Sequence, residues 1–290
     1  MSSIQELFNK GKSLLRNCPQ PSLETKLLII KSASISEEEF YAFPEMELSR
    51  GQERLFYRLI SRRLEGFPLA YLTGVKEFWS IPFRVFPGVL IPRPETELLV
   101  EKVIELISHE EKLIADIGTG AGNIAVSIAK EFPMARIIAT DISQKALRAA
   151  QLNFYLQKIS RITFIRGSLF FPLKKLDLEG KFDFIVSNPP YVSEIEWEKL
   201  QKEIKNHEPK KALVAGRTGL EKIHNLIRGA IKYLKPEGYL CFEIGFKQRE
   251  KVLSFFGPEW SKVECFDDLR GIPRVIIARK HLIKDHLPFS

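Results

Sequence analysis

Apolar residues along this chain follow two periods, and the change from one to the other falls near residue 75. Before it they recur at helical spacing: Leu7, Leu14 and Leu15, then Leu23, Leu27, Leu28 and Ile30, then Leu55, Leu59 and Ile60. Ser36 with Glu39, and Ser49 with Gln52, are spaced as capping boxes, in which two side chains satisfy backbone N–H groups left unpaired at a helix start. Gly66-Phe67-Pro68 ends the last of these helices, because glycine accepts a left-handed conformation and proline cannot continue the ladder. Residues 1–75 therefore read as a small helical domain that binds a partner, with structural support as the plainer role. From Lys76 to Arg93 aromatic and β-branched residues surround Pro87-Gly88, which predicts a β-hairpin linker over 76–93 with Phe78, Trp79, Phe83 and Phe86 in a core.

The remainder, 94–290, reads as a third and larger unit. Pro94, Glu95 and Glu97 are the proline and acids favoured in a first helical turn, so helix-start chemistry accounts for them, and that helix runs to about His109. Apolar runs at 113–116, 137–141, 162–165, 182–188, 239–244, 263–266 and 275–279 then alternate with helical segments near 123–132, 143–157, 220–234 and 248–256. This alternation predicts an open, Rossmann-like α/β sheet with helices on both faces, its last two strands close enough to form an antiparallel edge hairpin.

Composition narrows the setting rather than the activity. Lys and Arg total 44 against 36 Asp and Glu, a net charge of +8, which suits a phosphate-bearing partner and equally a merely basic surface. Cys18, Cys241 and Cys265 are isolated, and His109, His207, His224, His281 and His286 share no spacing for a metal or a triad, so no metal is expected. The start lacks a basic-then-apolar leader and no apolar run approaches 18 residues; the reading is a cytoplasmic protein with reduced thiols and no membrane span.

Candidate chemistry gathers at two strand ends. The run 113–116 leads into Gly118-Thr119-Gly120-Ala121-Gly122, where glycines let the backbone approach a ligand, and Asp141 ends the next strand about 20 residues on, where a carboxylate can accept from both ribose hydroxyls or cap a helix. A dinucleotide fingerprint would need glycine at Asn123. The Gly-x-Gly-x-Gly spacing instead resembles the S-adenosyl-L-methionine loop of Rossmann-like methyltransferases. The fourth run closes on Asn188-Pro189-Pro190-Tyr191, a corner rich in acceptors because proline carries no N–H. A planar NH₂ group fits it, held by the Asn188 oxygen and the Pro189 carbonyl under the Tyr191 ring; a bare turn fits it too. In a doubly wound sheet the first and fourth strands adjoin across the switch point, which would place the corner and the glycine loop in one crevice. Methyl transfer to a delocalised nitrogen needs orientation and electrostatics rather than a strong base, consistent with a motif lacking His, Cys and Lys.

Over nearly its full length the chain resembles the HemK/PrmC family of peptide chain release factor glutamine methyltransferases. The resemblance rests on Gly66 to Gly74, Ile91 to Glu97, Asp116 to Gly122, Asp141 and Ser187 to Val192, with Glu208-Pro209, Glu243-Ile244-Gly245 and Asp268 to Gly271 extending it. It implies transfer of a methyl group from S-adenosyl-L-methionine, leaving S-adenosyl-L-homocysteine, to the glutamine nitrogen in the Gly-Gly-Gln loop of class I release factors. It further implies that Gly118, Thr119, Gly120, Ala121, Gly122 and Asp141 hold the cofactor, with Asn188 near it, and that Asn188, Pro189, Pro190 and Tyr191 hold the glutamine amide. The helical domain would grip the release factor. Leu169 stands where some members have an aromatic residue beside the adenine, and Arg217-Thr218 departs from the usual pattern before Gly219-Leu220. Two other readings stay open: an amino-methyltransferase of DNA adenine or ribosomal RNA, disfavoured because no sizeable insertion could read a sequence, and a non-catalytic binding or assembly factor on this fold.

Overall fold

The computed structural model describes residues 1–108 and 110–282. The chain forms two units, one of Met1–Val75 with Gln201–His207 and one of Lys76–Leu200 with the residues from Glu208 onward.

The first unit contains α1 (Ile4–Leu14), α2 (Pro21–Ala33), α3 (Glu37–Ala42), α4 (Arg50–Leu64) and α5 (Leu69–Thr73). Capping boxes open three of them, at Ser3 with Glu6, Ser36 with Glu39 and Ser49 with Gln52. Leu7, Leu28, Ile29, Phe56 and Ile60 fill its core. Leu14 and Leu23, expected on apolar stripes, are instead exposed, while Glu24 and Thr25 are buried. Glu24 is buried in an ion pair: Arg63 Nε donates to Glu24 Oε2 at 2.6 Å, with both side chains at or below 7 % exposure. Arg63 Nη1 adds Glu203 Oε2 at 2.9 Å and the Phe67 carbonyl at 3.0 Å. That contact, with a His207 ring 4.0 Å from Phe67, explains why 201–207 joins this unit although the sequence reading places it in the third segment.

The linker hairpin consists of β1 (Val75–Phe78) and β2 (Ile81–Arg84), but its turn is Trp79-Ser80, both at φ 54°, rather than Pro87-Gly88. Two consecutive left-handed residues match the twist of a two-residue hairpin loop, and Glu97 Oε1 secures this one by accepting from Trp79 N–H at 2.9 Å. Pro87-Gly88 makes a separate turn closed by Val89 N–H to Phe86 C=O. Phe78 and Phe83 are buried and Trp79 packs beside them, as core residues.

In chain order there follow α6 (Glu97–Leu106), β3 (Leu113–Ile117), α7 (Asn123–Glu131), β4 (Arg136–Asp141), α8 (Gln144–Leu156), β5 (Ile162–Arg166), β6 (Phe182–Ser187) and the short β7 (Val192–Ser193). Then come α9 (Glu194–Lys199), α10 (Lys202–His207), α11 (Lys210–Leu213), β8 (Val214–Gly216), α12 (Glu221–Tyr233), β9 (Leu234–Glu243), α13 (Arg249–Leu253), β10 (Trp260–Asp267) and β11 (Pro273–Lys280). Helix α6 stops at Leu106, short of the expected end near His109, which lies outside the described residues as His286 does.

Seven strands form one sheet in the order β10-β11-β9-β6-β3-β4-β5. Strands β9, β6, β3, β4 and β5 are parallel, and β11 runs antiparallel between β9 and β10, so the terminal hairpin is present with β10 at the edge. Alternate side chains feed two cores: Ile114, Phe184 and Val186 pack on the α6–α7 face, and Ala115, Ile117 and Ile185 on the α12–α13 face. From β3 the chain winds outward through β4 and β5 and then returns to β6 on the other side, so a crevice opens between the carboxyl ends of β3 and β6.

Candidate active site

Three glycines shape the loop after β3. Gly118, Gly120 and Gly122 all have left-handed φ, of 77°, 58° and 82°. A Cβ at Gly118 or Gly120 would meet nothing within 4 Å, and both line the cavity, so a side chain there would fill space open to a ligand. Gly122 is different: its Cβ would lie 3.0 Å from Ala150 Cβ, and glycine there lets α7 pack against α8. Thr119 does not reach the cavity; its Oγ1 donates to Asp116 Oδ2 at 2.6 Å, locking the loop to the strand beneath. Asp116 Oδ1 has no partner among the described residues, and burial pushes this carboxyl up to about 7.

Asp141 closes β4 beside that loop. Its Oδ2 accepts from Gly120 N–H at 2.9 Å and its Oδ1 from Ser143 N–H at 2.7 Å. The N-cap of α8 is Ser143, whose side chain accepts from Ala146 N–H, so Asp141 is left to line the cavity. Burial raises its carboxyl above the ordinary aspartate value while these N–H groups pull it back.

The cavity, about 1050 Å³, brings Gly118, Gly120 and Asp141 together with Ser187, Asn188, Pro189 and Pro190. Ser187 Oγ ties the two strand ends by donating to the Ile117 carbonyl at 2.6 Å. Leu169 and Ile142 line it as well; Leu169 has a left-handed φ of 47°, and Ile142 is 57 % exposed despite being apolar. Lys145, Arg166, Lys210, Lys211 and Lys222 line it against Asp141 and Glu194, so it is positive by residue count.

Tyr191 and Asn188 are held from behind. Asn188 Nδ2 donates to Thr96 Oγ1 at 2.9 Å, Thr96 Oγ1 donates to Glu243 Oε2 at 2.6 Å, and Tyr191 OH donates to Glu243 Oε1 at 3.0 Å. Thr96 is fully buried and Glu243 is 1 % exposed. Burial and the adjoining Glu243 charge push the Tyr191 hydroxyl well above the ordinary tyrosine value, which keeps it neutral. Gln248 fastens the same residue by its backbone, its Nε2 donating to the Tyr191 carbonyl at 2.8 Å while its Oε1 accepts from Gly245 N–H at 2.8 Å. A Cβ at Gly245 would strike Tyr191 Cδ2 at 2.9 Å, and one at Gly219 the Tyr191 carbonyl at 2.7 Å. These contacts give physical content to Glu243-Ile244-Gly245 and to Gly219, which carry no role in the sequence reading.

Two charged residues ahead of α6, Arg93 and Glu95, do not line the cavity and are paired elsewhere. Arg93 Nη2 donates to Glu208 Oε1 at 2.6 Å and Glu95 pairs with Arg270 at 2.7 Å. Thr96, Glu243 and Gln248 support the site without belonging to a motif that marks them as site residues; the one local signal for Thr96 is a small hydroxyl between two acids at a helix start. Among the described residues no group of three His, Cys, Asp or Glu could hold a metal, and no helix is long and apolar enough to cross a membrane.

Known proteins similar to this chain are methyltransferases. Residues 94–213 match the family model described as methyltransferase small domain, and residues 6–74 the one described as PrmC N-terminal domain. The chain is 39 % identical over 281 residues to a release factor glutamine methyltransferase of Koribacter versatilis, covering 96 % of this chain and 99 % of the relative. It is 38 % identical to one of Coxiella burnetii, over 97 % of this chain and 100 % of the relative. Among solved structures, the ribosomal protein L11 methylase of Lactobacillus delbrueckii subsp. bulgaricus aligns with a TM-score of 0.50 at 25 % identity, over 69 % of this chain and 86 % of that one. The hMettl16 catalytic domain, crystallised with an MAT2A 3′UTR hairpin, aligns at 0.56 over 76 % of this chain and 82 % of its own; at 19 % identity it speaks to fold alone.

Proposed function

The chain belongs to the release factor glutamine methyltransferase family, and we propose that its methyl acceptor is the glutamine side-chain nitrogen in the Gly-Gly-Gln loop of class I release factors. One observation carries the chemistry: an acceptor-rich corner, Asn188 and Pro189, lines the same cavity as the glycine loop and Asp141. S-adenosyl-L-methionine, when bound, supplies a methyl group on a cationic sulfur and departs as S-adenosyl-L-homocysteine. The residues fit it. Gly118 and Gly120 leave room for its amino-acid and ribose portions, Asp141 has lone pairs left for the ribose hydroxyls, and Leu169 with Ile142 offers apolar surface to the adenine.

The protein's own part is positioning. Asn188 Oδ1 and the Pro189 carbonyl accept the two amide hydrogens of the glutamine, and Tyr191 provides a flat face for the group. Accepting those hydrogens leaves electron density on nitrogen as the new bond forms, and the resulting cationic nitrogen sheds a proton to solvent without a dedicated base. The helical unit supplies surface for the release factor.

Incubation with labelled S-adenosyl-L-methionine and, separately, a release factor, the same factor with the loop glutamine replaced, and DNA or ribosomal RNA tests this. Label is expected on the unaltered release factor alone. Label on nucleic acid and none on the release factor would overturn the reading.

A further inference from the structure

We propose that Thr96 and Glu243 are positioning residues that fix the polarity of the Asn188 carboxamide, so that the cleft selects a side chain ending in NH₂ over one ending in a carboxylate. The inference rests on the reading of Asn188 as the holder of the substrate amide, and goes beyond it by saying what makes that holder discriminate.

The argument is a count of hydrogens. A threonine hydroxyl has one, and Thr96 Oγ1 spends it on Glu243 Oε2 at 2.6 Å. Towards Asn188, 2.9 Å away, it can present only a lone pair. The end of the carboxamide that faces Thr96 is therefore Nδ2, and Oδ1 is left as the free end of a residue lining the cavity. Glu243 makes the direction one-way. Its second oxygen accepts from Tyr191 OH at 3.0 Å, so both oxygens receive donors and the ionised form satisfies both. With Thr96 fully buried and Glu243 1 % exposed, water does not replace either partner. The chain thus runs from a buried anion through one hydroxyl to one amide, and its polarity ends at the substrate.

That polarity discriminates between two side chains of nearly one shape. A glutamine brings two donors to two acceptors. A glutamate brings oxygens against the Asn188 oxygen and the Pro189 carbonyl, leaving buried acceptors facing each other, an arrangement that sites built for hydrogen bonding reject by as much as roughly 10⁴-fold. Without the Thr96 hydroxyl no hydrogen bond among the described residues holds the carboxamide in one sense. It can turn over and present Nδ2, which a carboxylate accepts.

The test uses the full-length protein with Thr96→Val, which keeps the shape and removes the hydroxyl, and Thr96→Ser, which keeps the hydroxyl. Methyl transfer to a release factor gives kcat and KM, calorimetry gives the Kd for S-adenosyl-L-homocysteine, and competition is measured with the release factor carrying glutamate in place of the loop glutamine. The valine variant is expected to lose about 10- to 100-fold in kcat with cofactor affinity kept. The glutamate-bearing factor, a poor competitor of wild type, is expected to close on the glutamine-bearing one by at least about tenfold, and serine to restore both. Undiminished discrimination in the valine variant, or failure of serine to restore it, would overturn the proposal. Thr96→Ala gives the same readout should valine prevent folding. A wild type that transfers nothing to the release factor would overturn the proposed function instead, so the two failures are distinct.

Discussion

Gly120 N–H donates to Asp141 Oδ2 across 2.9 Å, joining the loop after β3 to the acid that ends β4. Ser143 N–H takes the other oxygen, so the carboxylate is oriented before any ligand arrives. Asp141→Asn should therefore cost more than a charge, because its NH₂ must face one of two backbone donors. The expected loss in S-adenosyl-L-homocysteine affinity is about 10- to 100-fold, from one or two hydrogen bonds to a charged group. Titration calorimetry checks it, and a loss below about threefold would argue against the ribose role.

The loop glycines should separate into two phenotypes. Gly120→Ala places a methyl in open cavity at φ 58° and is expected to weaken cofactor binding with a stability loss of about 1–2 kcal/mol from backbone strain. Gly122→Ala has the same kind of strain and adds a 3.0 Å clash with Ala150, for a further loss of about 1–3 kcal/mol. Denaturant unfolding ranks them, and the prediction fails if Gly120→Ala is the less stable of the two.

The legible parts of this protein were those governed by local rules. Alternation of apolar runs located the seven strands of the main sheet, and Ser36 with Glu39 announced a cap from spacing alone. Glycine spacing and the two prolines marked both sides of the cavity because each reflects a backbone property. Thr96 and Glu243 are not legible in role, since they are 147 positions apart and meet only because α6 packs against β9. The hairpin turn was misplaced for a related reason: Trp79-Ser80 is not a sequence that favours left-handed residues, and Glu97, 18 positions from Trp79, helps hold it.

Acidification should move activity and stability in opposite directions at Glu243. Burial, with the Glu95 charge, raises its carboxyl above the ordinary glutamate value, against Thr96, Tyr191 and Arg274, which lower it. Between the unfolded and the raised folded value the folded state holds more protons, so stability falls as pH rises through that window. The ionised form is the one that fixes Asn188, so kcat should fall as pH drops through the same window. Asp116 and Asp141 are raised too and add the same sign to stability. Comparison with Glu243→Gln isolates the one group: the melting midpoint of wild type relative to the variant should rise on acidification from about pH 8 to 4. A pH-independent difference would contradict the assignment.

Arg63 should be the costliest charged residue to remove from the helical unit. Arg63→Leu leaves Glu24 buried without its cation, an expected loss of about 3–5 kcal/mol. Arg63→Leu with Glu24→Leu removes both charges and should recover much of that loss. Urea unfolding of the single and double variants decides it; a double variant no more stable than the single would show that packing, not the orphaned charge, dominates.

The Arg63 contact with Glu203 also sets a timetable. A chain is made from its first residue onward, and domains ordinarily close as they emerge. Here the helical unit lacks α10 until His207 has been synthesised, and by then β3, β4, β5 and β6 have already been made. The helical unit is thus finished only after four of the seven strands of its neighbour's sheet have been made, and a fragment ending at Val75 would keep Arg63 while lacking one of its two carboxylates.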